Sequence, residues 1–293
     1  MRRVIITGAQ GQLGKRLVQE AGRRDQWEVR AFGRDDLDIT SQAAVDQAIE
    51  QWHPDVVINA AAYTAVDQAE EDRELAFAVN AIGPGFLASA CAQNGANFIH
   101  VSTDYVFDGA SNRPYLPKDP TNPVGVYGAS KRLGEKAVSR GYNEVTSGSK
   151  HWIFRAAWLY DSTGKNFLTT MLRLAEKGQA LRVVSDQLGA PTAAGPLACM
   201  LMDCAEKPDV LDAGIWHYGT VGPTSWFDFA RAIFQLTGKD VEVNPCSTAD
   251  YPTRAKRPAY SYLDPYPLMQ KWSKEPVPWE LQLKECLDER VEL

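Results

Sequence analysis

The sequence predicts an α/β protein built on a doubly wound parallel sheet, with a smaller lobe formed by the C-terminal part of the chain. Short apolar runs alternate with helical patterns in the first part, as in sheets whose two faces are both covered by helices. The later part is less regular and has proline-rich connections at 264–267 and 275–278. Composition agrees, because 44% hydrophobic and 23% charged residues in a chain of 293 are ordinary for a globular protein.

Each strand is predicted from a short apolar run, and each helix from the pattern that follows it. The expected strands are 4–6, 28–32, 55–59, 97–102 and 151–155. The expected helices are one through Leu17 and Val18, then 41–51, 72–94 and 127–140. An open sheet of this kind binds ligands outside the carboxyl ends of its strands, where we expect the small lobe to lie.

A glycine-rich loop, Thr7-Gly8-Ala9-Gln10-Gly11-Gln12-Leu13-Gly14, joins the first predicted strand to the first predicted helix. In dinucleotide-binding folds, the first glycine allows a tight turn, the second lets the backbone approach a pyrophosphate, and the third packs the helix on its strand. We assign these tasks to Gly8, Gly11 and Gly14. The sheet is therefore predicted to be Rossmann-like, and the Gly-x-x-Gly-x-x-Gly spacing resembles that of extended short-chain dehydrogenases/reductases.

Charge and composition exclude several classes of protein. The net charge is −6 and the pI about 5.4, so the broad basic surface of a nucleic-acid-binding protein is not expected. We expect no apolar run to reach the roughly 20 residues that span a bilayer, and the N-terminus enters a strand without a signal peptide's apolar segment. We therefore predict a cytoplasmic protein. The five cysteines form no Cys-x-x-Cys unit and the four histidines are scattered, so we expect reduced thiols and no metal site.

Tyr127 and Lys131 lie four residues apart on a predicted helix and therefore project from the same face. A free phenol has a pKa of about 10, which makes it a poor proton donor at neutral pH, and a neighbouring ammonium lowers that pKa. The pair is thus a candidate acid catalyst. Two further segments, 59–67 and 102–109, end predicted strands, so both are expected at the same edge of the sheet as the glycine loop and this pair.

Six segments are similar to the dTDP-4-dehydrorhamnose reductase family, a branch of the extended short-chain reductases. They are the glycine loop at 7–14, 59–67, Ser-Thr-Asp-Tyr-Val-Phe at 102–107, Tyr-Gly-x-x-Lys at 127–131, Arg-Ala-Ala-Trp-Leu-Tyr at 155–160 and Asp-Gln-Leu-Gly-Ala-Pro-Thr at 186–192. The similarity extends from residue 3 to about residue 290. It implies reduction of the 4-keto group of dTDP-6-deoxy-L-lyxo-4-hexulose (dTDP-4-dehydro-L-rhamnose) by NADPH or NADH, the last step of dTDP-L-rhamnose synthesis.

The resemblance also implies residue roles. Tyr127 would give a proton to the sugar oxygen, Thr103 would hydrogen-bond that oxygen, and Lys131 would bind the nicotinamide ribose and lower the pKa of Tyr127. Besides Tyr127 and Lys131, the positions matched to the cofactor are Gly8, Gly11, Gln12, Leu13, Asp38, Ile39, Ala61, Ala62, Tyr63 and Thr64. The positions matched to the substrate are Thr64, Val66, Thr103, Asp104, Tyr105 and Trp158. Trp158 is expected to form a flat apolar wall, with a core residue at the sheet edge as the alternative.

Two arginines are candidates for binding phosphate. Arg34 follows the second predicted strand, where an acid usually selects NAD, and its guanidinium suits a 2′-phosphate and so favours NADPH. The adjacent Asp35 and Asp36 oppose this preference, and a solvated turn residue is the alternative. Arg257 ends a cationic run, 254–257, that is expected either to line the nucleotide pocket or to be surface charge.

The chain is expected to divide in two. Residues 1–160 would form the NAD(P)-binding Rossmann domain, with a return of the chain around 195–220, and residues 161–293 would mainly form the substrate-binding lobe. Some members of the family form a dimer bridged by magnesium through glutamates, whereas Arg16 and Gly195 occupy the matching positions here. We therefore expect a monomer or a weak homodimer, and no magnesium requirement for catalysis.

Two other functions remain open on the sequence. Epimerases and dehydratases of nucleotide sugars share the glycine loop and the Tyr/Lys helix, but they recycle their cofactor instead of consuming it. A non-enzymatic, reductase-like regulatory subunit is the third possibility. The complete set of Thr103, Tyr127 and Lys131 argues against it.

Overall fold

The structure is a computed structural model that describes residues 1–145 and 148–291; residues 146–147 of the first predicted domain and 292–293 of the second lie outside the described residues. Its strands are β1 Arg2–Thr7, β2 Trp27–Phe32, β3 Val56–Asn59, β4 Asn97–Thr103, β5 His151–Ala156, β6 Leu159–Tyr160, β7 Leu181–Val184, β8 Leu188–Gly189, β9 Thr192–Ala193, β10 Gly214–His217, β11 Thr224–Ser225 and β12 Val243–Cys246. Its helices are α1 Gln12–Gly22, α2 Gln42–Trp52, α3 Arg73–Phe77, α4 Gly83–Gln93, α5 Val126–Asn143, α6 Phe167–Ala175, α7 Ala194–Glu206, α8 Trp226–Leu236, α9 Tyr266–Lys271 and α10 Trp279–Val291.

The main sheet is parallel and has the strand order β10-β5-β4-β3-β1-β2. The chain moves from β1 to β2 at one edge and then crosses to the other side of β1 to form β3. The direction of winding therefore reverses between β1 and β3. Loops that leave these two strands diverge and open a crevice at the carboxyl edge, where ligands bind in such sheets. The predicted doubly wound parallel sheet is confirmed.

Alternate side chains of the strands point into two separate cores. Val4, Ile6 and Ile58 face one side, where α1 and α7 cover the sheet. Ile5 and Val57 face the other side, which α2, α4 and α5 cover. Both faces are thus buried, which explains why the strands appear in the sequence as continuous apolar runs.

Residues 73–93 form one helical stretch in which a π-helical segment at 78–82 joins α3 to α4. By length and composition this stretch could cross a membrane, so the expectation that no apolar run is long enough was wrong. However, 56% of that apolar window is buried inside the protein. Leu87, Ala88 and Cys91 of α4 belong to the core beneath the sheet, and α4 contacts both α2 and α5. Core packing accounts for its apolar composition.

The C-terminal part adds a third core of its own. Helices α6, α8 and α10 pack there together with β7 and β12, which pair in parallel. Residues 194–217 instead belong with the main sheet, since α7 packs on α1 and β10 is the edge strand beside β5. The division of the chain at residue 160 stays a prediction.

Candidate active site

The turn between β1 and α1 is shaped by contacts that only glycine allows. Gly8 has a φ of +69°, and a Cβ there would lie 2.5 Å from the amide nitrogen of Ala61. A Cβ at Gly14 would collide with the carbonyl of Gly8. Helix α1 has Gly11 as its N-cap, with no side chain capping it and no acidic residue in its first turn. Its first N–H groups therefore suit an anion such as a pyrophosphate.

A cavity of about 470 Å³ opens beside this turn, between the loops that follow β1, β2 and β3. It is lined by eight of the positions predicted for the cofactor, namely Gly8, Gly11, Arg34, Asp38, Ile39, Ala61, Ala62 and Tyr63. Gln12 and Thr64 are not among its lining residues, and neither is Leu13, whose side chain packs in the core under α1. The cavity and the glycine turn together fit a dinucleotide, because a Cβ at Gly8 would close the space between the β1 and β3 loops.

Two of the acids after β2 are occupied by the turn itself. Asp36 accepts a hydrogen bond from the N–H of Gly33 at 2.7 Å. Asp38 accepts from the N–H and the hydroxyl of Thr40 at 2.9 and 2.7 Å, and these bonds lower the pKa of Asp38. Arg34 precedes both acids in the chain, is exposed, and lines the cavity. The repulsion expected from Asp36 is therefore reduced, since its carboxylate is turned back to the backbone.

Thr103 and Tyr127 meet where β4 ends and α5 begins. The Thr103 hydroxyl donates to Asp104 Oδ1 at 2.9 Å and accepts from the N–H of Tyr105 at 3.2 Å. The Thr103 hydroxyl lies near enough to the phenol of Tyr127 to affect its pKa, and the Tyr127 ring contacts the Tyr105 ring edge-on with the ring centroids 5.5 Å apart. Gly128 permits this approach, because a Cβ there would collide with the carbonyl of Tyr105. The fold thus brings these predicted site residues together.

Lys131 lies one turn further along α5 and is 2% exposed. Its Nζ donates to the carbonyl of Val101 at 2.6 Å and lies 3.3 Å from Nε2 of His100. Burial lowers the pKa of Lys131 to about 8, while the charge of Glu135 acts in the opposite direction. The ammonium therefore begins to lose its proton just above neutral pH.

The expectation that Lys131 lowers the pKa of Tyr127 was wrong for this structure. Burial raises the pKa of Tyr127 to about 12, the hydrogen bond with Thr103 opposes the rise, and the charge of Asp104 adds to it. The reason is geometric, because Lys131 Nζ is directed at the Val101 carbonyl and at His100 rather than at the phenol. Tyr127 keeps its proton at neutral pH, as a proton donor must.

Asp104 is a buried carboxyl group beside this pair, 2% exposed. Burial raises its pKa to about 6, and the hydroxyls of Ser261 and Thr103 oppose that rise. Among the described residues, its Oδ2 atom has no partner with hydrogen-bond geometry. A buried oxygen of this kind at a candidate site suits a ligand hydroxyl.

Trp158 is held in an uncommon backbone conformation, with a φ of +49°. Its ring stacks on Trp226 at 3.6 Å with an 8° angle between the planes. A Cβ at Gly189 would lie 2.6 Å from a ring atom of Trp158, so glycine is needed there. Trp158 therefore packs against helix α8 of the C-terminal part. Trp226 is absent from the predicted site, because an aromatic residue in an apolar helix is normally a core residue.

Arg257 in the C-terminal part of the chain is paired with Asp67 in the loop after β3. Its two terminal nitrogens donate to the two carboxylate oxygens at 3.0 and 2.8 Å, which lowers the pKa of Asp67. Arg257, Trp226 and Tyr251 line a second cavity of about 360 Å³ in the C-terminal lobe. In the loop after β3, Thr64 is exposed and Val66 half-buried.

Asn80 connects the cofactor loop to the catalytic helix and was missed from the sequence. Its amide oxygen accepts from the N–H of Tyr63 at 2.8 Å, and its nitrogen lies 3.0 Å from both the Tyr63 carbonyl and the Ser130 hydroxyl. It lies in the π-helical segment 78–82 and is fully buried. A lone amide in an otherwise apolar helix was the available signal.

The position matched to a magnesium ligand holds a paired arginine. Arg16 donates to Asp161 at 2.9 Å and forms an ion pair with Glu289 at 2.8 Å. Across residues 1–145 and 148–291, no group of three or more His, Cys, Asp or Glu is placed to hold a metal ion. The absence of a metal requirement stays a prediction.

A doubly wound sheet with a glycine turn after β1, and with a threonine and a Tyr-x-x-x-Lys helix at the same edge, defines the short-chain dehydrogenase/reductase class. The family model described as the RmlD substrate binding domain matches residues 1–292. The chain therefore belongs to the dTDP-4-dehydrorhamnose reductase family.

Relatives support this assignment over nearly the whole chain. The dTDP-4-dehydrorhamnose reductase of Aggregatibacter actinomycetemcomitans is 42% identical, covering 97% of this chain and 98% of its own. A crystal structure of such a reductase from Clostridium acetobutylicum matches with a TM-score of 0.92 and 39% identity, covering 99% and 100% of the two chains. The structure of the Bacillus anthracis reductase in complex with NADP matches with a TM-score of 0.91 and 37% identity over the same shares.

Proposed function

We propose that this protein reduces the 4-keto group of dTDP-6-deoxy-L-lyxo-4-hexulose with NADPH or NADH to give dTDP-L-rhamnose. The observation that carries the proposal is the contact of Tyr127 with Thr103 at the sheet edge, beside a cavity that fits a dinucleotide. The relatives that match the chain from end to end bear the name of this activity. A bound NADPH would supply the hydride.

The residues of the chain would handle the charge that develops on the sugar oxygen. Tyr127 donates its proton to that oxygen, and its high pKa ensures that the proton is present at neutral pH. Thr103 lies beside the phenol and would donate its hydroxyl hydrogen to the sugar oxygen in place of Asp104. Asp104 receives a sugar hydroxyl at its unpartnered oxygen, Oδ2. Lys131 binds the ribose of the cofactor.

The remainder of the predicted site would orient the two ligands. Gly8, Gly11 and the first N–H groups of α1 bind the pyrophosphate. Trp158 and Tyr105 enclose the sugar, and the second cavity beside Trp226 and Arg257 receives the nucleotide. Arg257 remains available to a phosphate on its side away from Asp67, since a guanidinium has five donors.

The decisive experiment is an absorbance assay of NADPH or NADH oxidation with enzymatically prepared keto sugar. One cofactor oxidised per sugar reduced is expected for a reductase, whereas an epimerase or dehydratase would show no net oxidation. Tyr127→Phe should lower kcat by about 100- to 10,000-fold, the usual contribution of a general acid. Tyr266→Phe is the matched control, since Tyr266 is 44% exposed and remote from the triad in the fold. Full activity of Tyr127→Phe would refute the acid assignment.

We propose further that Arg34 favours NADPH by binding its 2′-phosphate. Arg34 is exposed at the cavity rim, and the neighbouring Asp36 is turned away to Gly33. Arg34→Ala should raise KM for NADPH about tenfold and leave KM for NADH nearly unchanged, as expected for a charge-assisted hydrogen bond worth about 1.4 kcal/mol or more. Arg23→Ala on the exposed end of α1 is the control. An equal rise for both cofactors would contradict this role.

We also propose that assembly needs no magnesium bridge, because Arg16 brings a positive charge to the matched position and is already bound by Asp161 and Glu289. Light scattering after size exclusion should give the same monomer or weak dimer with magnesium and with a chelator. A dimer that requires magnesium would contradict the proposal.

A further inference from the structure

A continuous chain of buried polar side chains connects the strand before the glycine loop to Lys131. The Thr7 hydroxyl lies 2.7 Å from Asn59 Oδ1, Asn59 Nδ2 lies 3.0 Å from His100 Nδ1, and His100 Nε2 lies 3.3 Å from Lys131 Nζ. All of these side chains are at most 2% exposed. The chain crosses β1, β3 and β4 before it reaches α5, so it links the two strands on either side of the crevice, β1 and β3, to the helix that carries Lys131.

The hydrogen-bond partners of Asn59 and His100 show which ring nitrogen of His100 carries the hydrogen. The N–H of Ala61 can only donate, and it points to Asn59 Oδ1 at 3.1 Å, which identifies that atom as the amide oxygen. The other Asn59 atom is therefore the NH₂ group, and it donates to His100 Nδ1. An accepting Nδ1 carries no hydrogen, so the neutral ring carries its hydrogen on Nε2. Burial and the nearby charge of Lys131 both lower the pKa of His100, which keeps the ring neutral.

This tautomer of His100 affects Lys131, because its Nε2–H is a donor that faces Nζ of Lys131. An ammonium has three donors and no acceptor, so it is mismatched with this partner, whereas a neutral amine accepts through its lone pair. The other groups that act on Nζ are the Val101 carbonyl on β4 and, along α5, the charge of Glu135. Glu135 favours the ammonium only from a distance, since its oxygens are bound by Arg155 and Ser102.

We propose that His100 is a positioning residue that sets the proton affinity of Lys131, and that Asn59 controls it by fixing the histidine tautomer. In this arrangement, Lys131 holds its proton less tightly than it would beside an acceptor. The effect of this proton affinity on catalysis rests on the proposed function, in which the Lys131 ammonium binds the cofactor ribose. The tautomer and the proton affinity do not depend on that function.

The tautomer is tested on the wild-type protein by ¹⁵N NMR of labelled histidine side chains. His100 is expected to carry its hydrogen on Nε2. His217 serves as an internal reference of the opposite type, because its Nδ1 lies 2.9 Å from the Tyr115 carbonyl, which only accepts. The spectra of His100→Gln and His217→Gln assign the signals. A hydrogen on Nδ1 of His100, or a doubly protonated ring at pH 7, would overturn the proposal.

The proton affinity of Lys131 is tested by Asn59→Asp, which reverses the direction of the hydrogen bond between residue 59 and His100. A carboxylate still accepts from Ala61 and Thr7, but at His100 it replaces a donor by an acceptor. The histidine hydrogen should move to Nδ1, leaving Nε2 free to accept from an ammonium. The pKa of Lys131, followed by the ¹³Cε signal that Lys131→Met removes, should rise by about one unit or more, since an opposite charge and a matched partner both favour the ammonium.

His100→Gln is the conservative counterpart, because its amide offers an acceptor towards Asn59 and a donor towards Lys131. It should leave the pKa of Lys131 within about half a unit of wild type, a change smaller than a full hydrogen bond produces. A Lys131 pKa that stays constant in Asn59→Asp while the tautomer has reversed would overturn the proposal. If Asn59→Asp does not fold, the wild-type spectrum still decides. Neither measurement uses the keto sugar or the cofactor, so failure of the proposed function would be seen separately.

Discussion

Two buried cations, Arg155 and Lys131, each lie beside a buried histidine, and they differ in the partners that their donors meet. Arg155 donates to both oxygens of Glu135 at 2.8 and 2.7 Å and to the Pro117 carbonyl at 3.2 Å, and it faces His217 Nε2 at 3.4 Å. Since the hydrogen of His217 is on Nδ1, its Nε2 accepts from the guanidinium. Each nitrogen of Arg155 therefore has an acceptor.

Lys131 has one acceptor, the Val101 carbonyl, and faces a donor on His100. The two cations are similar in burial and both lie next to a neutral imidazole, so neither property distinguishes them. The direction of the hydrogen bonds around each cation distinguishes the two. A cation each of whose nitrogens meets an acceptor stabilises the fold, whereas a cation with most of its donors unmatched is suited to binding a ligand.

The largest effect is expected from removing Arg155, which breaks its ion pair with Glu135. Arg155→Met leaves the Glu135 carboxylate buried without its charge partner, which should lower the free energy of unfolding by about 3–5 kcal/mol. Urea denaturation measures it. Arg140→Met is the control, because Arg140 pairs with Glu144 at the surface with its side chain 80% exposed; it should cost less than about 0.5 kcal/mol. A cost below about 1 kcal/mol for Arg155→Met would contradict the structural assignment.

Lys131→Met, unlike Arg155→Met, should change stability little and activity strongly. Removing a poorly satisfied buried cation should change the free energy of unfolding by less than about 1 kcal/mol, because an apolar side chain avoids the desolvation cost. The ratio kcat/KM for keto-sugar reduction should fall about 100-fold or more, the scale seen when an active-site donor is lost. Lys136→Met, on the exposed side of the same helix, is the control and should keep its activity. Unfolding of Lys131→Met with no loss of activity per folded molecule would reverse our assignment of the two cations.

The smallest expected effect concerns pH. Burial, and then the charge of Arg155, lower the pKa of His217 to about 3, so the unfolded chain binds a proton between this value and about 6.5 that the folded protein does not. Stability therefore falls as the pH falls through that window, by about 1.4 kcal/mol per pH unit from this histidine. His217→Gln should flatten the pH dependence of the unfolding free energy by that amount between about pH 4 and 6. An unchanged slope would show that His217 is not neutral in the fold.

The active-site elements that could be predicted from the sequence are those carried by a local pattern. The glycine turn, the Tyr127–Lys131 helix and Thr103 at a strand end lie where alternating strands and helices place them. The direction of Lys131 could not be predicted this way, because it depends on His100, which lies 31 positions earlier on β4. The stacking of Trp226 on Trp158 could not be predicted either, since the two residues are far apart in the chain.

The sequence by itself determined the sheet, the order of its strand-end motifs and the chemical types of the site residues. Glycine spacing and the 3.6-residue helical period involve only residues that are close together in the chain, so they can be recognised in the sequence without knowledge of the fold. Only the tertiary structure decided which hydrogen-bonding atom faces which. The proton on His100 follows from Ala61 and Asn59 on another strand, and the state of Lys131 follows from His100. Proton affinity in a buried site depends on the partners that folding brings together, and these are distant in the chain.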